Sequence, residues 1–500
     1  MDAETLEPVV FATIRIKGKS LGVISNMDGS FKIPSFFKKE GDTLEISSMG
    51  YALTPIALLD VSDNITNIIT VKPNVMKLDE VVVKAKKRTR AIQNLSAVKI
   101  VQLAIESLPK NLPQNPYSYV GYYRDYQLKD SNYVNLNEAI LKIFDKGSQA
   151  KDFETTNVRI FDYRQNTDFQ RDSLGALPYD YENKRKMISG AFLNNYGGNE
   201  FVILRVHDPI RNRNVNTFDF VNVLENDFIT HHVFEKEEDV LFENDNFYHV
   251  SFKNKQPFKG LGVQGDMYIS KNSFAIRNFE YAIYYSKKKK SKKKKGIDEV
   301  LFETKLEYTQ KDGFMYLNYH SMDNSFKVVL PPKFIVEKAV FNPVKKCFVI
   351  RFNNDLKEKE ALKKSNYKVL FKGKKLKFKK LVLIGDEVLL FPDMEKEQNV
   401  LLYNEIEAVM KESSICDNSL KIYVKNLKDV DGNEIYKKTY STRRQFRQFF
   451  VQQLETNAMA IPSDTSLMKK NAPIFKNQPI IKPDNFDDYW MNTPLRKTEN

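Results

Sequence analysis

Few residues in this 500-residue chain have the types that do chemistry. Histidine occurs as His207, His231, His232, His249 and His320, and only His207 stands beside a carboxylate, in the run RVHDPIRN. His207 and Asp208 have the side chains of an acid–base dyad, in which a carboxylate orients an imidazole. Pro209 weighs against that, because Asp before Pro is an ordinary turn starter. His231 and His232 are adjacent in ITHHVF, and neighbours on a strand face opposite ways, so the pair does not chelate one metal. His249, in FYHVSF, reads as strand packing. Asp429, Asp431 and Asn433 in DVDGNE place three oxygen side chains at alternate positions, as a calcium loop begins, but no bidentate Glu follows at the required spacing and a turn is preferred. Whether the three bind calcium is left open by the sequence.

The two cysteines, Cys347 and Cys416, form no CxxC pair and have no nearby histidines, so they make no zinc site. Two packed thiols are preferred over a disulfide. The sequence contains no GxSxG elbow, HExxH helix, phosphate-binding loop or dinucleotide fingerprint. The reading is therefore no catalytic residue, no cofactor site, no metal site and no enzyme.

The net charge is +14, and one run, KKKKSKKKK, supplies much of it. Its eight lysines are Lys287, Lys288, Lys289, Lys290, Lys292, Lys293, Lys294 and Lys295; without them the charge falls from +14 to +6. Nucleic-acid surfaces mix Arg with aromatic rings, and this run has neither, so no nucleic-acid partner is expected. It reads as a solvated hairpin loop between the alternating strands Phe279–Tyr285 and Val300–Tyr308, suited to contact with an anionic lipid or polysaccharide surface. Eighteen consecutive apolar residues occur nowhere, which leaves peripheral membrane contact and no spanning helix.

The elements that must position these residues are mostly strands. FATIRI, TLEIS and IITVK alternate across the first 85 residues. Asp28-Gly29, between LGVIS and FKIP, reads as a tight hairpin turn, and Gly50 before Tyr51 lets the chain bend after LEIS. The series EPVVFATIRIKGKSLGVISNMDGSFKIP, GDTLEISSMGY and LDEVVVKA resembles the carboxypeptidase regulatory-like domain, a transthyretin-like β-sandwich abundant in envelope proteins of the Bacteroidetes. In that family the pattern begins one strand earlier and follows a signal peptide. The resemblance thus implies a further strand and an export leader ahead of Met1, and a place in the periplasm or at the outer membrane or cell surface.

After this module Val98, Val101, Ile105 and Leu108 mark one helix face that stops at Pro109. Long strand patterns follow, as an antiparallel sheet or half-barrel cupping that helix. Beyond Pro331-Pro332 a second sandwich pattern runs through FIVEKAVF, CFVIRF, EVLLFP, NVLLYNEIEAV and LKIYVKNL, with a turn at Gly432. It resembles an Ig-like domain of the SbsA bacterial-surface type at Arg351-Phe352, Ala361 to Tyr367 and Val424 to Asn433. In STRRQFRQFFVQQL, Phe446, Phe449, Phe450 and Leu454 stand three or four apart, as on an amphipathic segment. FDDYWMNTPLRK, with the sole Trp, reads as a strap lying across a domain.

The expected architecture is mainly β: a transthyretin-like sandwich over 1–85, a helix plus large curved antiparallel sheet over 92–330, an Ig-like sandwich over 333–440 and an extended tail over 441–500. The function that follows is a non-catalytic, modular envelope protein that binds or scaffolds an envelope protein, polysaccharide or lipid. The alternative is a lipid or lipoprotein carrier using an apolar concavity of the central sheet. An envelope hydrolase is the third.

Overall fold

The computed structural model describes residues 1–19, 21–63, 65–74, 95–215, 223–242, 245–257, 260–285, 300–412, 420–456 and 466–495. The lysine run, Cys416 and LDEVVVKA lie outside the described residues. The fold is mainly β, with 44% strand against 15% helix. The chain divides into two compact units, Met1–Val328 with Thr442–Asn500, and Val329–Ser441.

The first unit opens with β1 (Thr13–Ile16), β2 (Gly22–Ile24), α1 (Phe36–Lys39), β3 (Thr43–Ser47) and β4 (Thr54–Ala57), whose strands form an antiparallel sheet in the order β2-β1-β3-β4. Alternation places Ile14, Ile16, Leu44 and Ile46 on one buried face, with Ile14 opposite both Val23 and Ile46. The turn at Asp28-Gly29 closes because Gly29 takes φ +73° while the Asp28 carboxylate accepts from the Ser30 N–H at 3.0 Å.

Helix α2 (Ala97–Asn111) follows, capped by the Ser96 hydroxyl, which accepts from the Lys99 N–H at 3.3 Å. It buries Ile100, Val101, Ala104, Ile105 and Leu108. Two expectations are corrected here. Val98 lies outside that face, 44% exposed. The helix also runs past Pro109, since a proline this near the C-terminus forfeits one hydrogen bond while Leu112 N–H still reaches the Leu108 carbonyl at 2.9 Å.

The rest of the unit is one sheet. Its strands are β5 (Tyr117–Lys129), β6 (Asn132–Asp145), β7 (Asn157–Gln165), β8 (Lys186–Met187), β9 (His232–Lys236), β10 (Val240–Phe242), β11 (Asp245–Asn254), β12 (Leu261–Ser270), β13 (Ile276–Tyr285), β14 (Val300–Lys311) and β15 (Phe314–Leu330). Short helices α3 (Asp152–Thr155), α4 (Glu200–Val206) and α5 (Phe228–His231) interrupt them. Strands β13 and β14, which flank the lysine run, are antiparallel neighbours.

The second unit has two antiparallel sheets, β16-β17-β21-β20 and β19-β18-β22, built from β16 (Val336–Asn342), β17 (Cys347–Phe352), β18 (Tyr367–Phe371), β19 (Lys374–Leu376), β20 (Phe378–Ile384), β21 (Glu387–Pro392) and β22 (Leu420–Val424). It also has α6 (Glu358–Ala361) and α7 (Glu397–Glu412). Phe348, Ile350, Val369, Phe371, Leu390 and Ile406 share its core. NVLLYNEIEAV, expected as a strand, is helix α7: Leu402, Tyr403 and Ile406 are buried at helical spacing while Leu401 is 60% exposed.

The chain then returns to the first unit as β23 (Thr439–Glu455), a 17-residue strand lying between β15 and β5 in a twelve-stranded sheet. The amphipathic-segment reading of STRRQFRQFFVQQL is corrected accordingly. Phe446 and Phe450 point to one face, Phe449 and Val451 to the other, because a central strand covered on both sides needs apolar residues on both. The second unit is thus inserted between two adjacent strands of the first. Among the described residues no helix is long and apolar enough to cross a membrane.

Candidate functional site

The twelve-stranded sheet has two faces, and each is a candidate site. The inner face packs against α2, α4 and α5 through a continuous apolar core that includes Tyr123, Phe201, Phe228, Phe279 and Phe302. Helix α4 is started by Asn199, whose side-chain carbonyl accepts from the Val202 N–H at 3.1 Å. Near its end the inner face retains a cavity of about 30 Å³ lined by Tyr117, Asp145, Arg205, Asp208, Tyr308 and His320.

His207 and Asp208 both lie in this region, buried. The Asp208 carboxylate accepts from the Ile210 and Arg211 N–H groups, each at 2.9 Å, as a turn-forming Asp does. Its other oxygen accepts from the Tyr308 hydroxyl at 2.7 Å. Burial pushes this carboxyl up to about 6. The His207 ring meets the Ile203 carbonyl through Nδ1 at 2.6 Å, and burial pushes it down to about 4. His320, which sequence reasoning did not connect to the pair, joins them: burial and the nearby His207 push it down to about 3, and among the described residues its Nε2 has no hydrogen-bond partner. Burial opposes ionisation of Asp145, but Arg211 and Arg205, at 2.9 Å each, hold its carboxyl below the usual range. These groups converge on a small cavity, and the space between them suits one water molecule.

The other histidines are separated. His231 ends α5 in solvent while His232 opens β9, buried, with Nδ1 2.8 Å from the Phe228 carbonyl. His249 Nε2 lies 2.8 Å from Asp266 Oδ1, and its ring stacks on Tyr268 at 4.6 Å. Among the described residues no group of three or more His, Cys, Asp or Glu is placed to hold a metal ion. Asp429 accepts from the Asn433 N–H at 2.6 Å, the Asn433 side chain at 2.8 Å and Asn354 at 3.1 Å, and Asp431 accepts from Asn354 at 2.9 Å. The Gly432 N–H closes the turn on the Asp429 carbonyl at 3.0 Å, with φ +86°. Gly50 has φ +82° where the chain bends ahead of Tyr51.

Among the described residues the outer face is covered over one half. There the N-terminal module docks: Phe11 lies 5.2 Å from Tyr319, and Arg15 donates to Asn318. The C-terminal segment straps the two together. Trp490 is 8% exposed, stands edge-on to Phe37 at 5.6 Å and donates through Nε1 to the Lys32 carbonyl at 2.9 Å. Asn492 accepts from the Lys32 N–H at 2.7 Å and donates to the Ile24 carbonyl at 2.8 Å, while its own carbonyl accepts from buried Arg124 at 3.2 Å. Asn26 and Ser30, either side of the Asp28-Gly29 turn, both donate to the Pro494 carbonyl. Further back the same tail lies along β7, where Ile481 N–H meets the Ile160 carbonyl at 2.9 Å and covers that sheet edge.

Among the described residues nothing covers the other half of the outer face, across β9 and β11 to β14. A groove of about 420 Å³ crosses it over a floor of Ser251, Gly265 and Ala282, with Glu235, Lys253, Glu280 and Glu303 along its sides. The register aligns Glu235, Ser251, Asp266, Glu280 and Lys305 in one row across five strands, and Lys305 pairs with Glu280 at 3.1 Å. Sequence reading missed this groove because its residues come in short groups from five strands spread over about 70 positions; the alternation of polar and apolar residues along each strand was the signal available.

Residues 1–83 match the family model of the CarboxypepD_reg-like domain. No curated protein matches the chain significantly. Among solved structures, a Vibrio parahaemolyticus domain named for outer membrane lipoprotein sorting is 14% identical, with 46% of this chain and 86% of that one covered and a TM-score of 0.22. A DUF1329 family protein from Desulfovibrio piger is 12% identical over 46% and 87%, with a TM-score of 0.23. The MucA/MucB complex of Pseudomonas aeruginosa contributes a chain 6% identical over 61% and 96%, at 0.15. Likenesses at these scores say nothing further about this chain.

Proposed function

We propose that this chain is a non-catalytic, modular cell-envelope protein that binds or scaffolds a partner at the periplasm or outer membrane, using the open half of the outer face. The observation that carries this reading is the contrast, among the described residues, between a polar groove of about 420 Å³ outside and the cavity of about 30 Å³ beside Asp208 and His320 inside. Ligand pockets for small molecules run from roughly 300 Å³ upward. A carrier of acyl chains needs room on the inner face that α2 and α4 occupy here. A hydrolase built on His207 and Asp208 needs substrate access to groups that are buried and already bonded. The match of residues 1–83 to a regulatory-like domain supports a binding role in the envelope.

A photo-crosslinking residue in place of Ala282 tests it in envelope fractions. The expected result is one specific adduct, lost when Glu280→Arg and Glu303→Arg are combined with it. An adduct pattern unchanged by those substitutions, or stoichiometric uptake of a fluorescent fatty acid by the purified protein, would overturn the reading.

A further inference from the structure

The second unit carries a surface that the groove does not involve. Between Ala361 and Gly385 the sequence has nine lysines and no Asp or Glu. The sheet β19-β18-β22 displays part of this charge on one side. Tyr367, Val369, Phe371 and Leu376 face the core, so Lys368, Leu370 and Lys375 face outward. The register sets Lys368 opposite Tyr423 and aligns Lys375, Leu370 and Lys421 in one row. Tyr423 is 51% exposed, with the Lys368 ammonium 5.9 Å from its ring centre. Lys363, Lys364, Lys374 and Lys377, near the same sheet, are exposed too. Among the described residues Lys363, Lys364, Lys368, Lys374, Lys375, Lys377 and Lys421 make no ion pair, whereas Lys372, at the hairpin tip, reaches Glu405 at 3.8 Å and Lys379, on β20, pairs with Glu395.

We propose that this lysine-bearing face docks the second unit onto an anionic lipid bilayer. Its shape and chemistry select that occupant. Lysine is a point charge without the planar fork that reads individual phosphates, and Arg351, on a different sheet, is the unit's one arginine. Such a face senses charge density. It is a sheet surface, suited to a plane of headgroups, and it carries Tyr423 and Leu370 among the lysines, at the depth where an aromatic ring and an apolar side chain enter the interface. The attraction is confined to about a Debye length, so it is strong only on contact and fades with salt. This surface is separate from the groove, and its test does not depend on the partner proposed above.

Flotation of the full chain with vesicles of phosphatidylcholine containing about one-third phosphatidylglycerol tests the assignment. Binding is expected at low salt, with little at 0.5 M salt and little on pure phosphatidylcholine. Combining Lys368→Glu, Lys375→Glu and Lys421→Glu is expected to weaken it about tenfold or more, and Tyr423→Ser about threefold with the salt dependence unchanged. Thermal unfolding of each variant checks the fold; if the triple variant unfolds, Lys368→Glu and Lys421→Glu singly are expected to give smaller, additive losses. Wild-type binding by the folded variants would overturn the proposal. So would loss of binding only on replacing the lysines of 287–295 by glutamine, or retention on heparin without any on vesicles.

Discussion

The two faces of the twelve-stranded sheet are made by the same strands and have opposite fates. Inside, Phe228, Phe279, Phe302 and the α2 stripe pack into one apolar core, and the cavity beside Asp208 and His320 is small. Outside, one half is sealed by the N-terminal module and the tail, and the other is a ladder of charged side chains in water. A large sheet can hold a ligand or its own helices, and residues of α2, α4 and α5 pack against this inner face.

The largest expected effect separates the faces directly. Phe228 is fully buried and meets Phe252 and Phe279 edge-on at 5.0 and 5.9 Å. Phe228→Ala is expected to cost about 3–5 kcal/mol in urea unfolding, whereas Lys253→Ala in the open groove stays within about 0.5 kcal/mol. A comparable loss at both would break the comparison. The sealed half comes next. Trp490→Ala removes a buried ring and its bond to Lys32, for about 3 kcal/mol, and Asn492→Ala removes the side-chain bonds to the backbone of Ile24 and Lys32, for about 1–2 kcal/mol. Because Trp490 is the sole tryptophan, its fluorescence also reports whether the strap releases before the sheet unfolds.

The inner face makes a pH prediction that the outer face does not. Asp125 is buried beside Glu200, and burial with that neighbour pushes its carboxyl up to about 7. The unfolded chain gives up this proton near pH 4 and the folded chain only near 7, so stability from this site falls as pH rises through that window. Asp125→Asn removes the slope: the variant is expected to gain on wild type by a few kcal/mol between pH 4.5 and 8. His320 acts with the opposite sign. Its folded value, about 3, lies below the unfolded one, so stability is lost as pH falls from about 6.5 toward 3. His320→Gln should therefore lose less than wild type on acidification. Melting temperatures of both variants across pH 4 to 8 check the two signs.

Much of this was legible in the sequence where one residue set has one solution. The reversal at Asp28-Gly29, the burial of Val101, Ile105 and Leu108 on α2 and the burial of Trp490 follow from turn chemistry, periodicity and the cost of an exposed ring. Two elements were misread because short apolar runs satisfy two periods at once. Val400 to Tyr403 is as good a strand core as a helix face, and Phe446, Phe449 and Phe450 suit one side of a helix or both sides of a strand. What decides is tertiary: β23 fills a gap between β15 and β5 that local pattern does not reveal. The convergence of His320 on His207 and Asp208 was equally invisible, since 113 residues separate it from His207 and only strand pairing brings it near. Nothing local marked Asn492 as the clamp between Ile24 and Lys32.

The smallest effect sharpens the contrast between a site and a turn in the second unit. Asp429 resembles the first ligand of a calcium loop, yet its oxygens already accept three hydrogen bonds and hold its carboxyl below the ordinary range despite burial. A cation would have to displace N–H donors that face it, and the backbone would have to open at Gly432. Added calcium is therefore expected to leave the melting temperature unmoved, where a bound ion would raise it by mass action. Gly432→Ala places a Cβ at φ +86°, which costs about 1 kcal/mol; no Cβ contact there is closer than 3.8 Å, so the loss is conformational and not steric. A calcium-dependent rise in melting temperature that Asp429→Asn abolishes would make this turn a site after all.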